Sequence, residues 1–141
     1  LVTLLHELFA FDRVAACDVL AARTWGLPVR LHRDVELFTG SSRSIEYRIW
    51  RQGQAPFDLV MIDGDHSYEG VCRDFEIHRS LGDRYLAFHD IRGGDPSTEG
   101  VRRFWTALAD LQKTEIVEPH AELGIDYSDM GIGIVAMSSP V

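Results

Sequence analysis

Short apolar runs alternate along the chain with stretches in which apolar residues return every three or four positions. The runs read as strands buried on both faces, and the stretches read as helices with one apolar side. Residues 1–9 have helical spacing and are expected to end a helix. Residues 13–18 (RVAACD) form a short strand ending in a carboxylate, and residues 19–25 suit a short helix stopped near Gly26-Leu27-Pro28. Residues 35–39 (VELFT) read as a strand followed by the turn Gly40-Ser41-Ser42. Residues 44–51 place Ile45, Ile49 and Trp50 on one helical face. Residues 57–62 (FDLVMI) are the strongest buried strand and run into Asp63-Gly64-Asp65-His66.

The same alternation continues to the end of the chain. Residues 67–80 are helical, with Ser67 as N-cap and Val71, Phe75 and Ile77 as apolar positions. Residues 85–88 (YLAF) form a strand ending in His89-Asp90, and residues 92–96 a loop. Residues 97–111 form a helix through Val101, Phe104, Trp105 and Leu108. Residues 114–117 and 131–137 read as two late strands, an antiparallel edge pair joined by a polar loop. Alternating strands and helices predict an α/β fold: a Rossmann-like, mostly parallel, doubly wound sheet.

Composition narrows the class. The length of 141 residues suits a single domain. With 45% hydrophobic and 26% charged residues the chain is expected to fold rather than remain disordered. No apolar run approaches the ~20 residues of a membrane span, and no secretory leader is visible, so a cytoplasmic location away from membranes is expected. The net charge of −8 disfavours nucleic-acid partners and is compatible with a hard divalent cation. Cys17 and Cys72 lack the spacing of a metal pair and are expected to be buried or partly buried free thiols. The tryptophans Trp25, Trp50 and Trp105 read as core. His6, His32, His78 and His120 have no readable partner and are expected at the surface.

Parallel sheets bind ligands at the carboxyl ends of their strands. Here Asp18, Gly40-Ser41-Ser42, Asp63-Gly64-Asp65-His66 and His89-Asp90 each follow a strand. If the strands before Asp63 and Asp90 are neighbours, ~4.8 Å apart, the two carboxylates reach one cation, with His89 as a third ligand favouring Mn²⁺, Fe²⁺ or Zn²⁺. His66 is then a candidate general base beside that ion. Asp65 is either a partner of these groups or a turn residue. Asp18 suits a ribose hydroxyl as well as an ordinary strand-end turn. Gly40-Ser41-Ser42 permits close approach to a ligand and equally caps the next helix.

Taken together, FDLVMIDGDHSYEG (57–70) and YLAFHDI (85–91) make the chain resemble a class I S-adenosylmethionine-dependent methyltransferase of the metal-dependent O-methyltransferase type. They are similar to the fourth and fifth strands of a bacterial family that itself resembles macrolide-sugar O-methyltransferases and cephalosporin-hydroxylase-type proteins. The resemblance implies S-adenosylmethionine and Mg²⁺ (or Mn²⁺) as cofactors. It implies Asp18, Gly40, Ser41, Ser42, Arg43 and Asp63 about the cofactor, with Asp18 on the ribose and Ser42 and Arg43 by the adenine. Asp63 and Asp90 would ligate the metal, with His89 where relatives often carry a carboxylate. Asp63 and His66 match an Asp-Gly-x-His phrase that supplies both ligand and base. The implied reaction is in-line methyl transfer to a hydroxyl of a small molecule or sugar.

The family's glycine-rich loop, which follows a central first strand, has no counterpart in this sequence. The chain is therefore expected to be an N-terminally truncated methyltransferase-like domain. Two other functions stay open: a non-catalytic, packing-only relative, and a glycosyltransferase using Asp63-Gly64-Asp65 as an Asp-x-Asp triplet. The acceptor is not encoded in the strand ends, and homo-oligomerisation is left open.

Overall fold

The computed structural model describes residues 11–19, 35–117 and 130–137. The helix expected over 1–9, the turn of helix over 20–25 and most of the loop between the late strands lie outside them, as do Trp25, His6, His32 and His120. The chain divides into two compact units, Leu1–Gln54 and Ala55–Val141.

In the first unit β1 (Val14–Asp18) and β2 (Val35–Thr39) pair in parallel, Asp18 level with Thr39. Gly40 N–H donates to the Asp18 carbonyl at 2.8 Å, which joins the two strand ends. A Cβ on Gly40 would lie 2.8 Å from the Phe38 ring, so only glycine allows this turn. Helix α1 (Ile45–Gln52) starts at Ser44, whose hydroxyl accepts the Tyr47 N–H at 3.0 Å. Phe38, Tyr47 and Trp50 stack together, with ring centroids 5.4 to 5.7 Å apart.

That cluster corrects the expected apolar face of α1. Ile45 and Ile49 are 68% and 64% exposed, whereas Tyr47 and Arg51 are buried. At 3.6 residues per turn, Ile45 lies on the side opposite Tyr47. The helix carries two stripes at helical spacing, and the aromatic one is packed. Cys17 is likewise exposed rather than buried. It sits near the open end of β1, and its thiol reaches the Gly40 carbonyl at 3.4 Å.

The second unit holds a four-stranded sheet in the order β3-β4-β6-β5, formed by β3 (Leu59–Ile62), β4 (Tyr85–His89), β5 (Lys113–Ile116) and β6 (Ile132–Ala136). β3 and β4 run parallel, and β6 lies antiparallel to both of its neighbours. The late strands are antiparallel as expected, but only β5 is an edge, because β6 sits inside the sheet. Among the described residues no ladder joins β1 or β2 to this sheet.

Helices α2 (Tyr68–Ser80) and α3 (Glu99–Ala107) cover one face of the sheet. Phe88 shows why: its ring meets Phe75 of α2 at 6.3 Å and Phe104 and Trp105 of α3 at 5.3 and 6.1 Å. Leu86, Phe88 and Val135 are fully buried there. Burying each such side chain stabilises the fold by about 1.5–3 kcal/mol. Opposite Phe88, Gly133 leaves room for the Trp105 indole, which an added Cβ would meet at 2.6 Å. The indole N–H donates to Glu115 at 2.7 Å, so this buried donor is satisfied.

The strand expected to be most buried is in fact half exposed. Val60 and Ile62 face the helices, while Leu59 and Met61, on the opposite face, are 52% and 39% exposed. The periodicity of a continuous apolar run does not tell which face is covered. α3 is also shorter than the expected 97–111. A turn precedes it, in which the Asp95 carboxylate accepts the Ser97 N–H at 2.7 Å and the Ser97 and Thr98 hydroxyls. These bonds hold the Asp95 carboxyl below the usual aspartate range.

His78 is buried rather than at the surface. Its Nδ1 lies 2.7 Å from Asp83, whose other oxygen accepts the Phe57 N–H at 2.7 Å. The pair fastens the end of α2 to the chain entering β3. Among the described residues no helix is long and apolar enough to cross a membrane.

Candidate active site

The parallel register sets Ile62 opposite Phe88, so Asp63 leaves β3 level with the end of β4. The adjacency anticipated from the sequence is present. Asp63, His89 and Asp90 each offer one ligand atom, and these atoms lie within 4.8 Å of one another. His66, on the loop into α2, joins them. Its Nε2 is 3.2 Å from Asp63 Oδ1 and its Nδ1 is 3.6 Å from Asp90 Oδ2.

Asp90 has a φ of +60°, the one positive value at a non-glycine among the described residues. This left-handed turn costs about 1–3 kcal/mol at such a residue. It folds the Asp90 carboxylate back so that Oδ1 stands 2.9 Å from His89 Nδ1. The Asp90 carbonyl accepts the Gly93 N–H at 3.1 Å, which closes the turn. The cluster is graded from inside to outside: the side chain of Asp90 is 11% exposed and that of Asp63 is 50%.

The donor set fits a divalent cation. His89 Nδ1 is buried and makes no aligned hydrogen bond, although Asp90 lies 2.9 Å and Asp63 3.7 Å away. A ring nitrogen held among carboxylates without a hydrogen bond suits metal ligation. Two carboxylates with one imidazole suit Mg²⁺ through their oxygens and Mn²⁺ or Zn²⁺ through the added nitrogen. Two atoms bound to one Mg²⁺ are at most ~4.2 Å apart, so a 4.8 Å span would have to close by about 0.6 Å at its widest.

Asp65 does not join this cluster. Its carboxylate accepts the Ser67 N–H at 3.0 Å at the entry to α2. That placement supports the turn-residue reading.

Two glycines that the sequence reading passed over shape the loop. A Cβ on Gly70 would lie 2.5 Å from Asp65 Cγ, and one on Gly100 would lie 2.2 Å from the His66 carbonyl oxygen. Both sit inside helices, where glycine costs about 1 kcal/mol against alanine. That cost is the signal by which the sequence could have shown them. Beyond the cluster, Arg92 pairs with Glu115 at 3.0 Å. The Trp105 N–H and Arg92 together hold the Glu115 carboxyl below the usual glutamate range.

Of the residues expected about a cofactor, Asp63 belongs to the cluster above, and Asp18, Gly40, Ser41, Ser42 and Arg43 lie in the first unit. Asp18 ends β1 beside Thr39 and Gly40. Ser41 follows, its hydroxyl accepting the Arg43 N–H at 3.2 Å, and Ser42 lies in the same turn before α1. These residues line the carboxyl ends of both strands.

No family model and no curated protein matches the chain. Solved structures do resemble it. The cofactor-bound Rv0187 protein from MTB gives a TM-score of 0.64 at 18% identity, over 91% of this chain and 62% of that one. The O-methyltransferase TomG from Streptomyces achromogenes, in complex with SAM, gives 0.60 at 19% identity, over 90% and 62%. The chain shares their fold. An O-methyltransferase from Bacillus cereus in complex with SAH gives 0.56 at 19% identity, over 88% and 62%. The chain spans 62% of the length of each of these three proteins. The Rossmann-like α/β fold expected from the strand and helix alternation is therefore present, and it is the fold of these O-methyltransferases.

Proposed function

We propose that the chain serves S-adenosylmethionine-dependent methyl transfer to a hydroxyl, assisted by a divalent cation. The observation that carries this reading is the convergence of Asp63, His89 and Asp90, with His66 beside them, at two adjacent strand ends. The methyltransferase fold and the SAM and SAH complexes of the similar structures support the choice of cofactor.

Asp63, His89 and Asp90 would hold the cation. Bound there, a divalent ion supplies positive charge that makes a nearby hydroxyl more acidic. With its proton on Nε2, which stands 3.2 Å from Asp63 Oδ1, His66 would present Nδ1 to accept the hydroxyl proton. Asp90, 3.6 Å from that atom, balances the charge that results. S-adenosylmethionine, when bound, would supply the sulfonium methyl group that the acceptor oxygen takes, leaving a neutral thioether, and His66 would hold the hydroxyl proton. Asp18 would accept the ribose hydroxyls, Ser42 and Arg43 would sit by the adenine, and Gly40 and Ser41 would line the cofactor.

Calorimetric titration with S-adenosylhomocysteine tests the cofactor. Measurable binding by the wild type, weakened about ten-fold or more in Asp18→Ala, is the expected result. Equal affinity of the two proteins would contradict the assignment of Asp18.

A further inference from the structure

Two cavities open along α3, the first of them beside His66, and Tyr68 and Arg103 line both. The first, of about 290 Å³, is lined by His66, Ser67, Glu69, Ser97 and Glu99 and bounded by Tyr68 and Arg103. The second, of about 480 Å³, has Tyr68 and Arg103 in common with the first and adds Arg102 and Thr106. Together they form one groove that begins at His66 and ends beside two guanidinium groups.

Glu69 and Glu99 line only the first cavity, Arg102 and Thr106 only the second, and Arg103 both. The end at His66 carries hydroxyls and the carboxylates of Glu69 and Glu99, which repel anions and accept hydrogen bonds from hydroxyl groups. The far end carries Arg102, Arg103 and the Thr106 hydroxyl, with no carboxylate in its lining. Arg102 and Arg103 are both exposed, and neither guanidinium pairs with a carboxylate among the described residues. Arg103 lies over the Tyr68 ring at 4.9 Å, which fixes its planar fork before any ligand arrives. Tyr68 stays a neutral phenol, its pKa pushed up by its hydrogen bond with Cys72.

We propose that this groove is the acceptor subsite and that it takes a hydroxyl compound carrying an anionic group. The hydroxyl-bearing end lies at His66, and the phosphate or carboxylate oxygens are held by Arg103 with Arg102. The proposal rests on the methyl-transfer reading for the role of its hydroxyl end. The shared chemistry is a planar or tetrahedral oxyanion meeting guanidinium N–H groups.

The test is calorimetric titration of the metal-free protein with two matched pairs, 4-hydroxybenzoate against phenol and glucose 6-phosphate against glucose. The wild type should bind the anionic member of at least one pair about ten-fold more tightly than the neutral one. The pair that shows the difference identifies a carboxylate or a phosphate. Arg103→Gln should reduce that difference to less than about two-fold, Arg102→Gln should reduce it in part, and Arg103→Lys should restore only part of it. Equal binding within both pairs, binding of none of the four probes, or an undiminished preference in Arg103→Gln would overturn the proposal. Asp63→Ala, titrated alongside, separates this proposal from the reading beneath it. It should keep the anion preference and lose Mn²⁺. Retained Mn²⁺ affinity in Asp63→Ala would count against the metal site alone, and a lost preference in wild type that still binds Mn²⁺ would count against the groove alone.

Discussion

His89 Nδ1 lies 2.9 Å from Oδ1 of Asp90, the residue next to it in the chain, and the left-handed backbone of Asp90 brings the two together. A non-glycine is held in that conformation only where its surroundings over-determine it. Here the closure of the turn on Gly93 and the approach to His66 do so. Asparagine tolerates the same backbone region but lacks the charge. Asp90→Asn is therefore expected to melt within a few degrees of the wild type and to bind Mn²⁺ at least ten-fold more weakly. Thermal melting and Mn²⁺ titration check the two halves of this expectation, and unchanged Mn²⁺ affinity would contradict it.

Gly100 allows α3 to press on the backbone of the His66 loop. Alanine there would place a methyl 2.2 Å from the His66 carbonyl oxygen and 2.4 Å from the Tyr68 nitrogen. Both are backbone atoms and cannot rotate aside. Gly100→Ala is expected to lose about 1–3 kcal/mol by overpacking, read as a lower midpoint in urea. A midpoint equal to the wild type would show that the loop yields.

The buried pair of His78 and Asp83 offers a comparison of two substitutions. Asp83→Ala removes the acceptor that the imidazole and the Phe57 N–H share and should cost about 3 kcal/mol or more. Asp83→Asn keeps an acceptor for one of them and should cost less. Urea denaturation of the two variants orders them, and the reverse order would refute the pairing as the source of stability.

The lowered pKa of Glu115 makes stability depend on pH. A carboxylate whose folded value lies below its unfolded value of about 4.3 contributes stability above that value. It loses the contribution as pH falls through the folded value. Glu115 is partly exposed, so solvent screening keeps the effect small. Wild type should exceed Glu115→Gln in melting temperature at pH 7, and the gap should narrow toward pH 3. A gap that widens on acidification would reverse the sign.

The adjacency of Asp63 and Asp90 was legible because β3 and β4 are short apolar runs that stop at polar groups. The run before Asp63 and the run before His89 belong to adjacent parallel strands, and that neighbourhood follows from strand–helix–strand order alone. Ser44 and Ser67 were readable as helix starts, since capping is a local property. The burial of β3 was not legible, because alternation is invisible in a run where every residue is apolar. The face of α1 was misread because Ile45 and Ile49 compete with Tyr47 and Trp50 at the same spacing. The His78–Asp83 pair and the glycine contacts at residues 70 and 100 depend on elements meeting in space, which no single stretch of sequence encodes.

The central claim is that Asp63 and Asp90 share one cation, and Mn²⁺ binding followed by electron paramagnetic resonance tests it most directly. The wild type is expected to bind one Mn²⁺ per chain and Asp63→Ala to bind none at the same concentration. Equal binding by both proteins would contradict the claim.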